Sequence, residues 1–359
     1  IHLDEFSTPS QTGSHGLYRT EYAADSGLLW MSGLDHMDTV CSVCQSVHGS
    51  WSVVIPGRSD CPGAVLASPA THNTSAVKAR PAFTLEYAGY LMSEKNTDNG
   101  RSQHICVDAY PAGSFNSETS EPSATLNPVE VSDGFPGYND HSEITCAQCS
   151  TNSGPVYTRW GRSDCPISAS LVYSGMAAGA HHQDPGGGHN FQCLHPTPVY
   201  GEVDETANAV SAKLHRVEYE TRWKGLWRMW RLHDDDMPCA VCQSTGSLSV
   251  YMQPGDPACP TGWSTEYSGY VMTSAQGTKR SEHICVDMEA QTAVDSDALA
   301  NTKSARIAPV EFYREPDDML DGYEPFSELG CSVCSQPNPI IACTPLTAPT
   351  GGHIICTNG

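Results

Sequence analysis

Cys239-Ala240-Val241-Cys242 is the stretch on which the reading turns, because its pattern comes four times: also as Cys41-Ser42-Val43-Cys44, Cys146-Ala147-Gln148-Cys149 and Cys331-Ser332-Val333-Cys334. Successive pairs stand 105, 93 and 92 residues apart. Each pair is followed by two single cysteines: Cys61 and Cys106, Cys165 and Cys193, Cys259 and Cys285, Cys343 and Cys356. All 16 cysteines of the 359-residue chain belong to this scheme, so one supersecondary unit has been copied. An even cysteine count in regular array, with no His at finger spacing, reads as an oxidised, extracellular framework. Two Cys-x-x-Cys pairs also suit a tetrahedral zinc site. That arrangement leaves the interleaved single cysteines as lone thiols, whereas disulfide pairing uses every one.

The chain opens at Ile1 without a charged leader or an apolar core segment, which leads us to expect a processed, mature, secreted protein. No apolar run is long enough to span a bilayer. Asn73-Thr74-Ser75 is a glycosylation sequon and makes Asn73 the expected glycan site. Acidic side chains outnumber basic ones 41 to 19. The resulting negative field argues against nucleic acid and anionic membrane as partners.

Two kinds of half-unit alternate. The first runs through Tyr157-Thr158-Arg159-Trp160-Gly161-Arg162-Ser163-Asp164-Cys165-Pro166, Tyr173-Ser174-Gly175 and Gly186-Gly187-Gly188-His189 to Cys239 and Cys242. The second runs through Cys259-Pro260, Tyr267-Ser268-Gly269 and Arg280-Ser281-Glu282-His283-Ile284-Cys285 to Cys331 and Cys334. An earlier copy of the second kind begins at Cys61-Pro62, passes Tyr87-Ala88-Gly89 and Arg101-Ser102-Gln103-His104-Ile105-Cys106, and carries an 18-residue insertion. Residues 1–44 resemble the back of a first-kind half-unit, and residues 335–359 a shortened front.

Short runs rich in β-formers, such as Trp51 to Ile55 and Leu248 to Met252, are broken by turn residues every eight to twelve positions. The 25 prolines and 31 glycines argue against long helices. The expected fold class is all-β with little helix: two pseudo-equivalent, disulfide-rich domains of two half-units each, in a circularly permuted tandem. The first is residues 1–150, completed by 335–359, and the second is 155–334. One helix is expected near Thr206 to Lys213, and linkers near Thr151 to Pro155 and Asn116 to Ala124.

From Arg159-Trp160-Gly161-Arg162 and Cys165-Pro166 to Cys331-Ser332-Val333-Cys334, the chain resembles one complete non-collagenous domain of the spongin-type short-chain collagens. These are distantly similar to the C-terminal non-collagenous domain of type IV collagen. Residues 14–149 resemble a permuted, partial second copy. No Gly-X-Y repeat is present, so the chain cannot form a collagen triple helix, and what the resemblance carries over is the β-rich module. The resemblance implies disulfides Cys165–Cys242, Cys193–Cys239, Cys61–Cys149, Cys106–Cys146, Cys259–Cys334 and Cys285–Cys331. The remaining four then pair tail to head, Cys343–Cys44 and Cys356–Cys41, within one chain, or between two chains to give a dimer or a fibre. Any four cysteines allow three connectivities, which the residues alone do not decide.

Several clusters invite a chemical reading. His181, His182, Asp184 and His189 lie in a Gly-rich segment and suit zinc or copper, the alternative being a solvated loop. His233 with Asp235, in the run His233-Asp234-Asp235-Asp236, offers a second metal set, with calcium as the ion of choice for the carboxylates. Arg101 with His104 and Arg280 with His283 recur beside a cysteine, either as structural donors to carbonyls or as two equivalent anion sites. Trp223, Trp227, Arg228, Trp230 and Arg231 form the one basic, aromatic stretch, a candidate protein or glycan surface. No hydrolase, metalloprotease or nucleotide-loop motif appears, and no enzymatic activity is expected.

These readings combine into an expectation: a secreted structural or interaction protein of extracellular material, assembling through its modules with no resident cofactor beyond a calcium or zinc ion. The runner-up is a ligand-binding module, lectin-like or metal-binding.

Overall fold

The computed structural model describes residues 18–23, 31, 33–45, 50–62, 83–114, 123–132, 134–200, 211–222, 229–296, 304–311 and 326–338, and the backbone of 341–345 and 354–358. It is all-β. The first unit contributes β1 (Thr20–Tyr22) and β2 (Asp38–Thr39). The second has β3 (Trp51–Pro56), β4 (Thr84–Ser93), β5 (Ile105–Asp108), β6 (Gly113–Ser114), β7 (Ala124–Val131) and β8 (Thr145–Thr151). The third has β9 (Val156–Trp160), β10 (Ala169–Gly179), β11 (Gln192–Leu194), β12 (Ala212–Tyr219) and β13 (Pro238–Ser244). The fourth repeats it with β14 (Ser247–Pro254), β15 (Ser264–Thr273), β16 (Ile284–Asp287), β17 (Ala305–Pro309) and β18 (Gly330–Pro337). A last hairpin is β19 (Ile341–Pro345) and β20 (Ile354–Asn358). The helix expected near Thr206 to Lys213 is not found in its described part: Ala212 and Lys213 begin β12, where an apolar stripe at strand spacing outweighs local helix propensity. A 3-10 turn, Trp230–Leu232, interrupts the strands.

Three of the four Cys-x-x-Cys pairs lie on the central strand of their unit. Strand β13 pairs antiparallel with β9 on one side and β10 on the other, and β8 and β18 are flanked in the same way by β3 and β4 and by β14 and β15. Cysteines three apart on a strand are separated by about 10 Å and project to opposite faces. They cannot bridge each other, but they can staple both faces to neighbouring chain. Six disulfides do this: Cys61–Cys149, Cys106–Cys146, Cys165–Cys242, Cys193–Cys239, Cys259–Cys334 and Cys285–Cys331, with Cα separations of 5.6 to 5.9 Å. These are the six pairs that the resemblance implies within the units. Each long-loop bridge contributes roughly 3 to 5 kcal/mol by restricting the unfolded chain.

The recurring Tyr-x-Gly follows from this packing. Gly89, Gly175 and Gly269 each pair with the first cysteine of a Cys-x-x-Cys. A Cβ on any of them would stand 1.7 to 2.1 Å from a carbonyl oxygen of the single-cysteine strand (Val107, Leu194 and Val286 respectively). Two residues earlier, the Tyr87, Tyr173 and Tyr267 hydroxyls donate to the carbonyls of Cys106, Cys193 and Cys285 at 3.1, 2.7 and 2.9 Å. A register shift just before each tyrosine aims the ring at that carbonyl. The four-fold repeat also shows in the backbone. His36, His141, Asp234 and Phe326, each five residues before a Cys-x-x-Cys, all have φ between 59° and 68°.

The units interlock. Parallel pairings join β1 to β7, β7 to β12 and β12 to β17, each against the front of the next strand: Thr20↔Ala124, Val129↔Ala212, Val217↔Ala305. The largest apolar cluster draws Ile55 from the second unit, Trp160, Phe191 and Tyr219 from the third, and Met272, Val286 and Ile307 from the fourth. The sheet and the core thus run across residues 151–155. There Gly154 and Pro155 are buried, and Gln243 Nε2 donates to Thr151 Oγ1 and the Gly154 carbonyl. The other expected linker, and Asn73, fall largely or wholly outside the described residues.

One expected set of bridges is not formed. Cys41 and Cys44 are free and exposed, so the tail-to-head disulfides Cys343–Cys44 and Cys356–Cys41 are absent. The physical reason is strand pairing. Strands β19 and β20 pair with each other, setting Cys343 opposite Cys356 in register, in a two-stranded sheet separate from the other eighteen strands.

Candidate assembly surface

Three internal junctions between units share one design. The amide two residues after a particular glutamate donates to the next unit: Ala23 to the Leu126 carbonyl (3.1 Å), Ser132 to Leu214 (2.9 Å) and Glu220 to Ile307 (2.7 Å). Those glutamates, Glu21, Glu130 and Glu218, are buried at 8, 0 and 3% exposure. Each lies opposite an acidic residue three positions before a Cys-x-x-Cys: Asp38, Glu143 and Asp236. At the third junction Ser304 Oγ of the following unit donates to Glu218 Oε2 at 2.7 Å. Burial, with Asp236 and Asp234 adding to it, pushes the Glu218 carboxyl up to about 7 although Ser304 and Arg306 oppose the shift. A serine stands seven residues before the corresponding glutamate in every unit, at Ser14, Ser123, Ser211 and Ser304.

The fourth member of the row has no follower among the described residues. Glu311, opposite Glu328, is exposed, and Val310 is only half-buried where Val129 and Val217 are fully buried. At the other end, surfaces that are internal elsewhere face solvent. Val43 is wholly exposed, while its counterparts Val241 and Val333 are 3 and 6% exposed. Ile105 is 43% exposed against 5% for Ile284. Asp108 is exposed, whereas its counterpart Asp287 is buried in an ion pair with Arg159 at 2.7 Å. That pair forms because β16 lies beside β9 of the preceding unit, with Val286 bridged to Trp160. Strand β5 has no such neighbour among the described residues. Burying a Val or Ile side chain contributes about 1.5 to 3 kcal/mol, so Val43 and Ile105 present apolar surface whose burial is favourable.

The histidine-rich segment is packed against its neighbours, not solvated. Gly186, Gly187 and Gly188 are buried. A Cβ at Gly186 would stand 2.0 Å from the Lys95 carbonyl oxygen, and one at Gly188 2.0 Å from the His104 ring. His181, His182, Asp184 and His189 do not converge as a ligand set. His182 Nδ1 lies 2.9 Å from the Ser304 carbonyl, His181 Nδ1 accepts from the Gln183 amide, and Asp184 accepts from Asn96. Burial lowers the pKa of both His182 and His189. Sequence spacing misleads here because the segment serves a seam: His189 N donates to the Ser102 carbonyl, and Glu282 N to the His189 carbonyl.

The second metal set is also rearranged. Asp235 accepts from Thr292 Oγ1 at 2.6 Å, away from His233. His233 instead lies between Glu220 and Asp234, the one group of three potential ligand atoms within 4.8 Å of one another among the described residues. Arg306 Nε sits 3.2 Å from Glu220 Oε1, so a cation there would meet a guanidinium already neutralising one ligand.

The two Arg-x-x-His copies differ. Arg101 donates to the carbonyls of His181 and Asp184 at 2.6 and 3.0 Å, and to Arg280 at 3.2 Å, tying three units together. His104 is buried against Asn190, and desolvation pulls it down to about 4. Arg280 and His283 are exposed. Two equivalent anion sites are therefore not present. Of the aromatic stretch, Trp230 and Arg231 are exposed, and Trp223, Trp227 and Arg228 lie outside the described residues.

No family model matches the chain.

Proposed function

We propose that this protein is a secreted structural component of extracellular material that assembles by docking the Glu311 end of one copy onto the Val43 and Ile105 end of another. The carrying observation is the triple repetition of one junction inside the chain, with Glu311 exposed at the fourth position of the row and Val43 and Ile105 exposed where their counterparts in other units are buried. A surface joined three times within one fold is already shaped for a fourth joint, and head-to-tail contact of this kind gives rings or filaments. Six disulfides suit an oxidising compartment. Among the described residues, no helix is long and apolar enough to cross a membrane.

Sedimentation velocity over a concentration series tests this reading. Wild type should sediment as oligomers whose size rises with concentration, and Val43→Asp should shift it toward monomer at unchanged thermal stability. A monomer at all concentrations would overturn the proposal.

A further inference from the structure

Between β10 and β11, residues 181–190 of the third unit run as a strap across two other units. Toward the second unit, Gly186 N donates to the Asn96 carbonyl, Gly187 N to Lys95 and Ser102 N to Gly187. Toward the fourth, His182 N donates to the Ser304 carbonyl, Lys279 N to His182 and Glu282 N to His189. The six disulfides each lie within a single unit, so none of them ties the strap to its neighbours.

The strap closes over imidazoles. The rings of His182 and His215, both buried, have their centroids 4.3 and 5.1 Å from that of His181. His104 of the second unit is buried against Gly188, with Nδ1 3.0 Å from the Asn190 carbonyl oxygen. His104 Nε2 and His189 Nδ1 are buried with no hydrogen-bond partner among the described residues. An imidazolium donates from both nitrogens, so protonation would leave a buried N–H without an acceptor at each. The fixed cations here are Arg101, which donates to the His181 and Asp184 carbonyls, and Arg306, which faces His182. Lys279 and Arg280 point to solvent, and Glu94, Lys95 and Asp98 are half-buried on the second-unit loop that pairs with the strap. Three acids face the cluster. Asp184 lies 3.8 Å from His181 Nδ1, Glu218 is linked to His182 through Ser304, and Glu282 accepts from Phe191 N. Glu218 and Glu282 titrate at about 7, so in mild acid both are neutral and offset no imidazolium charge. The Asp236 carboxylate behind Glu218 is already held by Arg216.

We propose that residues 181–190 are an acid-released strap: proton uptake by His104, His182 and His189 in mild acid frees the strap from the second and fourth units while the disulfide-stapled strands stay folded. Desolvation lowers the pKa of all three imidazoles, and Arg101 or Arg306 pushes each the same way. A group whose folded pKa is lowered favours the closed form above about 6.5 and withdraws that support as pH falls. His104, at about 4 when covered and near 6.5 when exposed, favours the open form roughly 30-fold at pH 5 on its own. Anchored by β10 on one side and by the Cys193–Cys239 bridge on the other, the strap can open as a local unit without global unfolding.

Hydrogen–deuterium exchange of the full-length, oxidised protein at pH 7.5, 6 and 5, read by mass spectrometry and corrected for the intrinsic pH dependence of amide exchange, tests this. Peptides covering 181–190 and 100–105 should lose protection about 10-fold or more between pH 7.5 and 5, while β8, β13 and β18 keep theirs. His104→Gln/His182→Gln should abolish most of that loss, and Glu218→Gln/Glu282→Gln should leave it in place. Exchange at the imidazole C2 position of wild type decides the matter even if the histidine variant does not fold. His104, His182 and His189 should pass from protected to exposed over the pH range in which the strap amides do. Strap protection unchanged at pH 5, protection lost together with the central strands, C2 positions that stay protected in acid, or a folded histidine variant that keeps the full acid response would each overturn the proposal.

Discussion

Replacing Glu218 by Gln should stabilise the protein at pH 8 and change little at pH 5. Glu218 is buried at the junction between the third and fourth units, where Asp236, Asp234, Arg306 and Ser304 face it and Arg216 holds Asp236 at 2.9 Å. Its carboxyl titrates at about 7 in the fold and near 4.3 in an unfolded chain. The folded state therefore binds the extra proton between those values, and this group's contribution to stability is full below about 4.3 and lost as pH rises through 7. The gap between those two values caps the penalty on the ionised form at about 4 kcal/mol, and solvent screening reduces this to roughly 1 to 2 kcal/mol. Gln keeps an oxygen for the Ser304 hydroxyl and carries no charge. Urea denaturation of wild type and variant at both pH values, disulfides intact, should show a gain of about 1 to 2 kcal/mol for the variant at pH 8 only. A difference equal at the two pH values would refute the assignment of a protonated, desolvated carboxyl at this junction.

Glu282, half-buried and raised to about 7 by desolvation, should add to the same trend, and Glu282→Gln should flatten the pH dependence of the melting temperature further. His104 acts oppositely. Its folded pKa of about 4 lies below the unfolded value, so its contribution is full above about 6.5 and lost as pH falls toward 4; acid unfolding followed by circular dichroism should be shallower in His104→Gln if that variant folds. Tyr173→Phe removes the hydroxyl bonded to the Cys193 carbonyl and should cost about 1 kcal/mol in the same denaturation assay. Arg159→Ala leaves Asp287 charged and buried, with an expected loss of roughly 3 to 5 kcal/mol, most of which Arg159→Met/Asp287→Asn should restore.

Much of the architecture is legible in the chain because cysteine, glycine and tyrosine are placed by rules of short range. Cys-x-x-Cys marks the central strand, and Tyr-x-Gly marks the strand beside it, since the tyrosine must reach one carbonyl and the glycine must clear another. The junction acids are harder to see. Glu130 and Glu143 are 13 residues apart and Glu218 and Asp236 are 18 apart, so loops of unequal length hide a constant pairing. The serine seven residues before each glutamate is a regular signal, but nothing local says that Ser304 reaches back to Glu218 of the preceding unit. Arg101 and Arg280 occupy matching sequence positions in unlike surroundings, one at a seam of three units and one at an edge, which no motif encodes.

The most direct test of the central claim uses one variant blocked at each end, Val43→Asp/Ile105→Asp and Glu311→Arg, studied alone and mixed by sedimentation velocity under reducing conditions mild enough to spare the buried bridges. Head-to-tail assembly predicts that each variant alone is monomeric and that the mixture forms dimers and nothing larger, because each partner retains one working end. Oligomers from either variant alone, or a mixture that stays monomeric, would contradict it.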